Sequence, residues 1–314
     1  MQRLHVMAAV IYNPSGDILI AKRPDHAHQG GLWEFPGGKL DEGESRFDGL
    51  RRELREELGI EITEARPLLD IHHDYPDKSV RLDVWRVSAF TGEAHGAEGQ
   101  PVRWVAPVEL RDYSFPEANV PIVTAAQLPE LYLITPDVSS LEVLMDGLER
   151  ARRRGVRLVQ LRQTQLAADE YHAWADAVVE RFGADFTIML KGDAPSSCTG
   201  AGWHLTAAQL RDMAVAGWDR ATFKGWLAAS CHNAEELELA ARVGVDFVSL
   251  SPVLPTQTHP DAEPLGWERA AELIARVNMP VYLLGGLGPG DLKRAFEVGG
   301  QGVAGIRGIW DWSG

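Results

Sequence analysis

The sequence is poor in cysteine, poor in long apolar runs and short of positive charge. Cys198 and Cys231 are the only cysteines in 314 residues. They give neither a disulfide framework nor a thiolate metal spacing, so a reducing cytoplasm is the expected setting. No run approaches the roughly 20 apolar residues of a membrane helix. The start Met1-Gln2-Arg3-Leu4-His5-Val6 has no apolar signal core. Acidic residues outnumber basic ones 45 to 31, a formal net charge of -14. That field disfavours a nucleic-acid polymer or an anionic membrane as the main partner. A small anion that arrives with a divalent cation remains compatible. The length allows one large domain or two ordinary ones.

What is present is concentrated in one stretch. Gly37-Gly38-Lys39-Leu40-Asp41-Glu42-Gly43-Glu44 runs on into Arg51-Arg52-Glu53-Leu54-Arg55-Glu56-Glu57-Leu58-Gly59-Ile60. The leading glycines allow a tight loop. A helix is predicted from about Ser45 to Leu58, with Phe47, Leu50, Leu54 and Leu58 on its apolar face and Gly59 ending it. Glu53, Glu56 and Glu57 stand at i, i+3 and i+4, where like charges repel. A hard cation such as Mg²⁺ turns that repulsion into a binding site. The alternative is a solvated acidic face balanced by Arg51, Arg52 and Arg55. With every fixed position of a long pattern filled, the stretch resembles a complete Nudix box, the signature of hydrolases acting on nucleoside diphosphates linked to another group.

Around the box, Val6–Ile11 and Ile18–Ala21 read as strands joined in a hairpin by Asn13-Pro14-Ser15-Gly16-Asp17. Leu68–His72, Val80–Phe90 and Arg103–Val105 are strand-like, and a last helix opens near Phe115 and ends near Leu128. The mixture of elements predicts an α/β/α sandwich with a mixed sheet over residues 1–128. Lys22-Arg23, His28, Leu32 to Pro36, Glu98-Gly99-Gln100-Pro101 and Phe115-Pro116-Glu117-Ala118-Asn119 extend the resemblance to the MutT type, the 8-oxo-dGTP diphosphatases. That resemblance implies a metal held by the Gly37 carbonyl and by Glu53, Glu56, Glu57 and Glu98. It makes Glu44 a brace and Arg52 the residue that orients Glu53. It implies substrate contacts at Arg23, His28, Phe35 and Asn119, with Lys78 standing where the family has a basic residue.

Chemistry supports these roles. Triphosphate hydrolysis needs positioning, charge neutralisation and an activated water. Mg²⁺, with Mn²⁺ as an alternative, would supply the charge, Glu53 or else Glu98 the base, and Arg23 and Lys39 further neutralisation. Asn119 offers donors and an acceptor to a purine edge, although at a helix start it could equally be an N-cap. Phe35 could be plain core, His28 a surface loop residue, and His72 and His73 sheet residues.

From Leu131 the pattern changes to apolar strands alternating with amphipathic helices. Candidate strands are Leu131–Ile134, Leu158–Leu161, Phe186–Leu190, Trp203–Leu205, Trp226–Ser230, Phe247–Leu250, Val281–Leu284 and Gly302–Ile306. Eight βα units over residues 129–314 predict a (β/α)8 TIM barrel, with an open doubly wound sheet as the alternative. Strand ends in such barrels carry the chemistry. Here they offer Gln160, Arg162, Lys191, His204, Ser230, His232, Ser251, Gly285, Gly286 and Gly305 as ligand candidates. The glycine loops suit a phosphate.

Leu131-Tyr132-Leu133-Ile134-Thr135, Gln160-Leu161-Arg162, Ser251-Pro252-Val253-Leu254-Pro255-Thr256-Gln257-Thr258 and Gly285-Gly286 resemble the thiamine phosphate synthase and TenI family, which adds Thr256 and Thr258 to the candidates. Departures fall on the chemistry. Thr164 and His259 replace lysines, the Asn-Asp metal pair after strand three is absent around Leu190-Lys191-Gly192, and Gln209 stands near the place of a missing acidic ligand. The expected protein is therefore a Mg²⁺-dependent hydrolase that takes 8-oxo-dGTP to 8-oxo-dGMP and diphosphate. Its barrel would lack synthase activity and would bind a small phosphorylated ligand or serve as scaffold. A thiamine-linked Nudix hydrolase is the rival reading.

Overall fold

Alternation along one strand layers the N-terminal half. In β1 (Leu4–Ile11), Met7, Ala9 and Ile11 enter one buried cluster, while Ala8 and Val10 enter another, as the two-residue period of a strand requires. The computed structural model describes residues 3–25, 29–195, 198–256 and 262–313. It divides into two compact units, Met1–Gln127 and Leu128–Gly314.

In the first unit β2 (Ile18–Lys22) and β3 (Trp33–Glu34) precede α1 (Arg46–Leu58). Then come β4 (Glu61–Asp74), β5 (Ser79–Thr91), β6 (Val102–Val105) and α2 (Val120–Gln127). One mixed sheet has the order β1-β5-β4, with β1 parallel and β4 antiparallel to β5; a second, antiparallel sheet has the order β3-β2-β6. The expected β1–β2 hairpin is therefore corrected. Beyond one antiparallel bridge, Tyr12 to Ile18, the strands join different sheets. The Asn13 side chain accepts the N–H groups of Ser15 and Asp17, so the chain still turns there. β4 also starts seven residues before the predicted Leu68, since its polar first half pairs with the far end of β5 through bulges.

Helix α1 starts and stops where its caps dictate. Ser45 Oγ accepts the Asp48 N–H, and Gly59 takes the left-handed conformation at φ 68°. Its buried Leu50, Leu54 and Leu58 pack against Met7, Ala9, Ile11 and Leu19. α2 buries Ile122, Val123, Ala125 and Ala126 in the other cluster, with Val10, Ile20 and Phe35.

The second unit is a closed barrel of eight parallel strands: β7 (Leu131–Ile134), β8 (Leu158–Leu161), β9 (Thr187–Leu190), β10 (Gly202–Leu205), β11 (Leu227–Cys231), β12 (Phe247–Leu250), β13 (Val281–Leu284) and β14 (Gly302–Gly305). The expected barrel is present, and the open sheet is excluded. Tyr132, Leu158, Met189, Ala228, Phe247, Tyr282 and Ala304 form one interior cluster. Their strand neighbours pack outward, on helices α3 (Leu141–Arg153), α4 (Ala168–Phe182), α5 (Ala207–Ala216), α6 (Ala234–Val243), α7 (Gly266–Ile274), α8 (Leu292–Glu297) and α9 (Arg307–Trp310). One correction concerns the repeat. Among the described residues no helix separates β9 from β10.

Candidate active site

Strand β1 zips the glycine loop in place. Met7 N–H donates to the Gly38 carbonyl (2.7 Å), Ala9 N–H to Pro36 (2.8 Å), and Leu40 N–H to His5 (3.1 Å). Gly37 has φ 146°, and a Cβ there would lie 2.1 Å from the Met7 carbonyl oxygen. A Cβ on Gly38 would lie 2.1 Å from Glu53 Oε2. One glycine thus permits the approach to β1, and the next leaves room for the carboxylate.

Arg52 is the hub of the loop and helix. Its guanidinium donates to Glu44 (3.0 and 3.1 Å), to Glu53 (2.8 Å), to Glu56 (3.3 Å) and to the Lys39 carbonyl (3.0 Å). Hydrogen bonding from Arg52 holds the Glu44 carboxyl below its ordinary range. Arg52 therefore ties Glu44 and Glu53 to one guanidinium. Glu57 instead accepts the Gly37 N–H at 3.0 Å. Burial pushes Glu57 up to about 8, against that hydrogen bond and with repulsion from Glu34, Glu53 and Glu98. Four carboxylates thus lie near enough to repel one another, and Glu34 and Glu57 line the cleft. The loop carrying Glu98 is tied to the helix end by Ala97 N–H and the Gln100 amide, which both donate to the Glu57 carbonyl.

This donor set fits a hard divalent cation, which the crowded oxygens favour. Among the described residues no three acidic, histidine or cysteine side chains close on a common point. Arg52 draws Glu53 and Glu56 to itself, so a cation would compete with it and complete its shell with water and phosphate oxygens.

The box opens into a cleft of about 320 Å³ lined by Arg23, Gln29, Glu34, Phe35, Gly37, Gly38, Lys39, Glu57, Tyr75, Lys78, Ala118 and Asn119, among others. Arg23 is engaged in an ion pair with Glu34, whose pKa burial raises. Phe35 is both core and cleft wall, 4% exposed and stacked on Phe115 at 5.3 Å. Asn119 ends a 3-10 turn, Glu117–Asn119, and its side chain makes no hydrogen bond to another described residue. The N-cap alternative thus finds no partner. His72 and His73 lie in β4, and His28 lies outside the described residues. Sequence reasoning gave no role to Glu34, Gln29 or Tyr75. The first sits between Trp33 and Phe35, where a charge in an aromatic strand could have signalled it.

At the barrel mouth the strand period points Gln160, His204, Ser230 and Ser249 inward. His204 is buried between the Tyr132 hydroxyl at Nδ1 (2.8 Å) and Ser230 Oγ at Nε2 (2.9 Å), and burial holds it down at about 4. The Arg162 side chain donates to Asp137 at 3.4 Å, and Thr164 bonds the same carboxylate. Lys191 donates to the Gln163 carbonyl and lies over the Tyr171 ring at 4.6 Å, and burial lowers its pKa. His232 Nδ1 donates to the Ser251 carbonyl at 2.8 Å. Gln209 caps α5 and reaches the Gly192 carbonyl. Gly285 and Gly286 have φ of 109° and 68° and approach Pro252 and Pro255 too closely for a Cβ. Gly305 is buried and Thr256 half-buried, while Thr258 lies outside the described residues.

Residues 7–125 match the family described as NUDIX domain, and residues 131–309 that described as Thiamine monophosphate synthase. The chain is a Nudix hydrolase joined to a member of the thiamine monophosphate synthase family. The first part of this Nudix protein is 36% identical over 123 residues to the 8-oxo-dGTP diphosphatase of Escherichia coli, covering 39% of the chain and 95% of that relative. It is 38% identical over 125 residues to the Escherichia coli CTP pyrophosphohydrolase, covering 40% and 92%. The second part is 32% identical over 183 residues to the putative thiamine-phosphate synthase 2 of Aquifex aeolicus, covering 57% and 97%. No helix among the described residues is long and apolar enough to cross a membrane.

Proposed function

We propose that the N-terminal unit is a Mg²⁺-dependent pyrophosphohydrolase that converts 8-oxo-dGTP to 8-oxo-dGMP and diphosphate, removing an oxidised precursor before a polymerase can use it. The observation that carries this reading is a single cleft. Glu34, Glu57 and the Gly37-Gly38 loop line the same cleft as Asn119, Phe35 and Tyr75, and we assign the metal and phosphates to the first group and the base to the second. Glu53, Glu56, Glu57, Glu98 and the Gly37 carbonyl would hold the metal. When bound, Mg²⁺ neutralises phosphate charge and lowers the pKa of a bound water. Glu53, oriented by Arg52, takes the proton of the attacking water. Arg23, Lys39 and Lys78 face the triphosphate, with Arg23 exchanging Glu34 for phosphate oxygen.

The base end supplies selectivity. Normal guanine presents N7 as an acceptor, whereas oxidation at C8 makes that position an N–H donor. An acceptor on the Asn119 amide pairs with the oxidised base and leaves a polar group unmatched against the normal one. The test is kcat/KM for 8-oxo-dGTP, dGTP and CTP on the full chain. A preference for 8-oxo-dGTP is expected. CTP as the best substrate would overturn the base assignment and favour the reading suggested by the CTP pyrophosphohydrolase relative.

For the barrel, we propose binding of a small phosphorylated ligand without synthase turnover. Arg162 and Lys191 lie on adjacent strand ends, and the backbone at Gly285, Gly286 and Gly305 suits an oxyanion. β9, Thr187-Ile188-Met189-Leu190, carries no carboxylate or carboxamide side chain beside them. A binder of the folded state raises its melting temperature. Thermal shift with thiamine phosphate, thiazole phosphate and sugar phosphates should show one such rise. Formation of thiamine phosphate would refute the loss of synthase activity, and a flat screen would leave the barrel as scaffold.

A further inference from the structure

The base-reading residue of the cleft sits on a short segment that another loop holds. Asn119 closes the 3-10 turn Glu117–Asn119, whose backbone is anchored by Asn119 N–H to the Pro116 carbonyl at 2.8 Å. Beside it, the β4–β5 turn is closed by Tyr75 N–H to the Lys78 carbonyl at 2.8 Å. Two contacts join turn and segment. The Tyr75 side chain has a backbone hydrogen bond with Ala118, the residue before Asn119. His73 Nε2 lies 4.0 Å from the Glu117 carboxylate, the residue two before it. The Tyr75 ring is itself fixed, edge-on to His73 at 4.3 Å and under the Lys78 ammonium at 5.9 Å. Glu117 is 83% exposed, so its pairing contributes little. Tyr75 is half-buried, and its hydroxyl is the stronger link.

Resting on the base-reading role of Asn119 proposed above, we infer that Tyr75 is a positioning residue for specificity: its hydroxyl, bonded to Ala118, sets where the Asn119 amide stands in the cleft. Discrimination between bases depends on an amide placed to within a few tenths of an ångström, because hydrogen bonds weaken steeply with geometry. The Asn119 side chain has no hydrogen-bond partner among the described residues to place it, so its backbone must do so. Glu53, the proposed base, is held from the helix side by Arg52 and makes no hydrogen bond to this link. Loosening it should therefore alter base choice and affinity without altering the chemical step. Lys78 shares the turn, so the same link also fixes a cation beside the substrate.

The experiment compares full-length wild type, Tyr75→Phe, Asn119→Ala and the double variant. It uses the nucleoside triphosphate that wild type turns over best and its nearest rejected analogue. Tyr75→Phe keeps the ring and removes only the oxygen, so folding is preserved, and unchanged melting verifies this. Selectivity in kcat/KM should fall roughly three- to tenfold, the span of one lost hydrogen bond, carried by KM with kcat at saturation unchanged. In the Asn119→Ala background Tyr75→Phe should change selectivity less than twofold, because the group it positions is gone. Retained selectivity in Tyr75→Phe overturns the inference, as do effects that simply multiply in the double variant. A loss of kcat with KM unchanged also overturns it. Wild type preferring CTP refutes the base assigned above, and the coupling is then read on CTP. If Asn119→Ala alone leaves selectivity intact, both readings fall together; if only Tyr75→Phe is silent, the positioning role falls and Asn119 stands.

Discussion

Replacing Gly38 with alanine should separate activity from stability. Gly38 is not in the left-handed region, so alanine suits its backbone, and such an exchange by itself favours the folded state by about 0.4–1 kcal/mol. The obstruction is Glu53. Its Oε2, Cδ and Oε1 lie 2.1, 2.3 and 2.6 Å from the position of the new Cβ, whereas real Cβ contacts stay beyond 3.0 Å. The carboxylate must retreat by about 1 Å, and it can, being the end of a flexible side chain. It then leaves the position in which Arg52 holds it at 2.8 Å. A misplacement of that size at a reacting group costs about 100-fold in rate. The assay is kcat for diphosphate release under saturating Mg²⁺, with melting temperature measured in parallel. Full activity in Gly38→Ala would refute the placement of Glu53 as the base. Gly37→Ala serves as contrast, since its Cβ would meet the Met7 backbone at 2.1 Å and its φ is 146°; it should lose stability as well as rate.

Glu53→Gln should fold normally and lower kcat at least ~100-fold, measured by the same release assay; near-normal turnover would remove Glu53 from the chemistry. Asp83 is fully buried and bonded to Arg46, His5 and Trp85, and Asp83→Asn should cost about 1–2 kcal/mol in denaturant unfolding, because its charge-assisted hydrogen bonds weaken while the half-exposed Arg46 returns to water. Its folded pKa is depressed despite burial, chiefly through Arg46. That stability is present above the ordinary carboxylate range and lost as pH falls through the lower folded value. His204 is held at about 4 against an ordinary 6.5. Between those values the unfolded chain binds a proton that the folded barrel refuses, so stability falls on acidification, by about 3 kcal/mol in full. A pH series of thermal melts should show His204→Gln with a flatter acid limb than wild type, and equal slopes would contradict the burial argument.

How far the sequence could be read depended on the range of the forces involved. α1 was legible because its limits are local: Ser45 and Gly59 act within one turn. The barrel strands were legible because Leu131–Ile134 or Phe247–Leu250 are short apolar runs that only a sheet covered on both faces would bury. The division of β1 and β2 between two sheets was not, since nothing near Asn13 says which strand each will meet. The polar first half of β4, Glu61 to Arg66, gave no apolar alternation, and its strand character comes from pairing with β5. The i, i+3, i+4 spacing marked Glu53, Glu56 and Glu57, and Arg52 gathers two of them. Partners were hidden by distance in sequence: in the cleft Glu34 for Arg23 and Ala118 for Tyr75, and elsewhere in the unit Arg46 for Asp83. In the barrel, side-chain candidates such as Gln160 and Ser230 follow the inward period. The absence, among the described residues, of a helix between β9 and β10 interrupts a repeat that periodicity alone would have continued.

The most direct test is product identity. The full chain is incubated with 8-oxo-dGTP and Mg²⁺, and the products are resolved by chromatography and phosphorus NMR, with a chelator control and Glu53→Gln in parallel. The expected result is 8-oxo-dGMP and diphosphate in equal amounts, with neither formed in the chelator and at most about a hundredth of the rate in the variant. Release of orthophosphate with a nucleoside diphosphate, undiminished turnover in chelator, or no turnover of this nucleotide would contradict it.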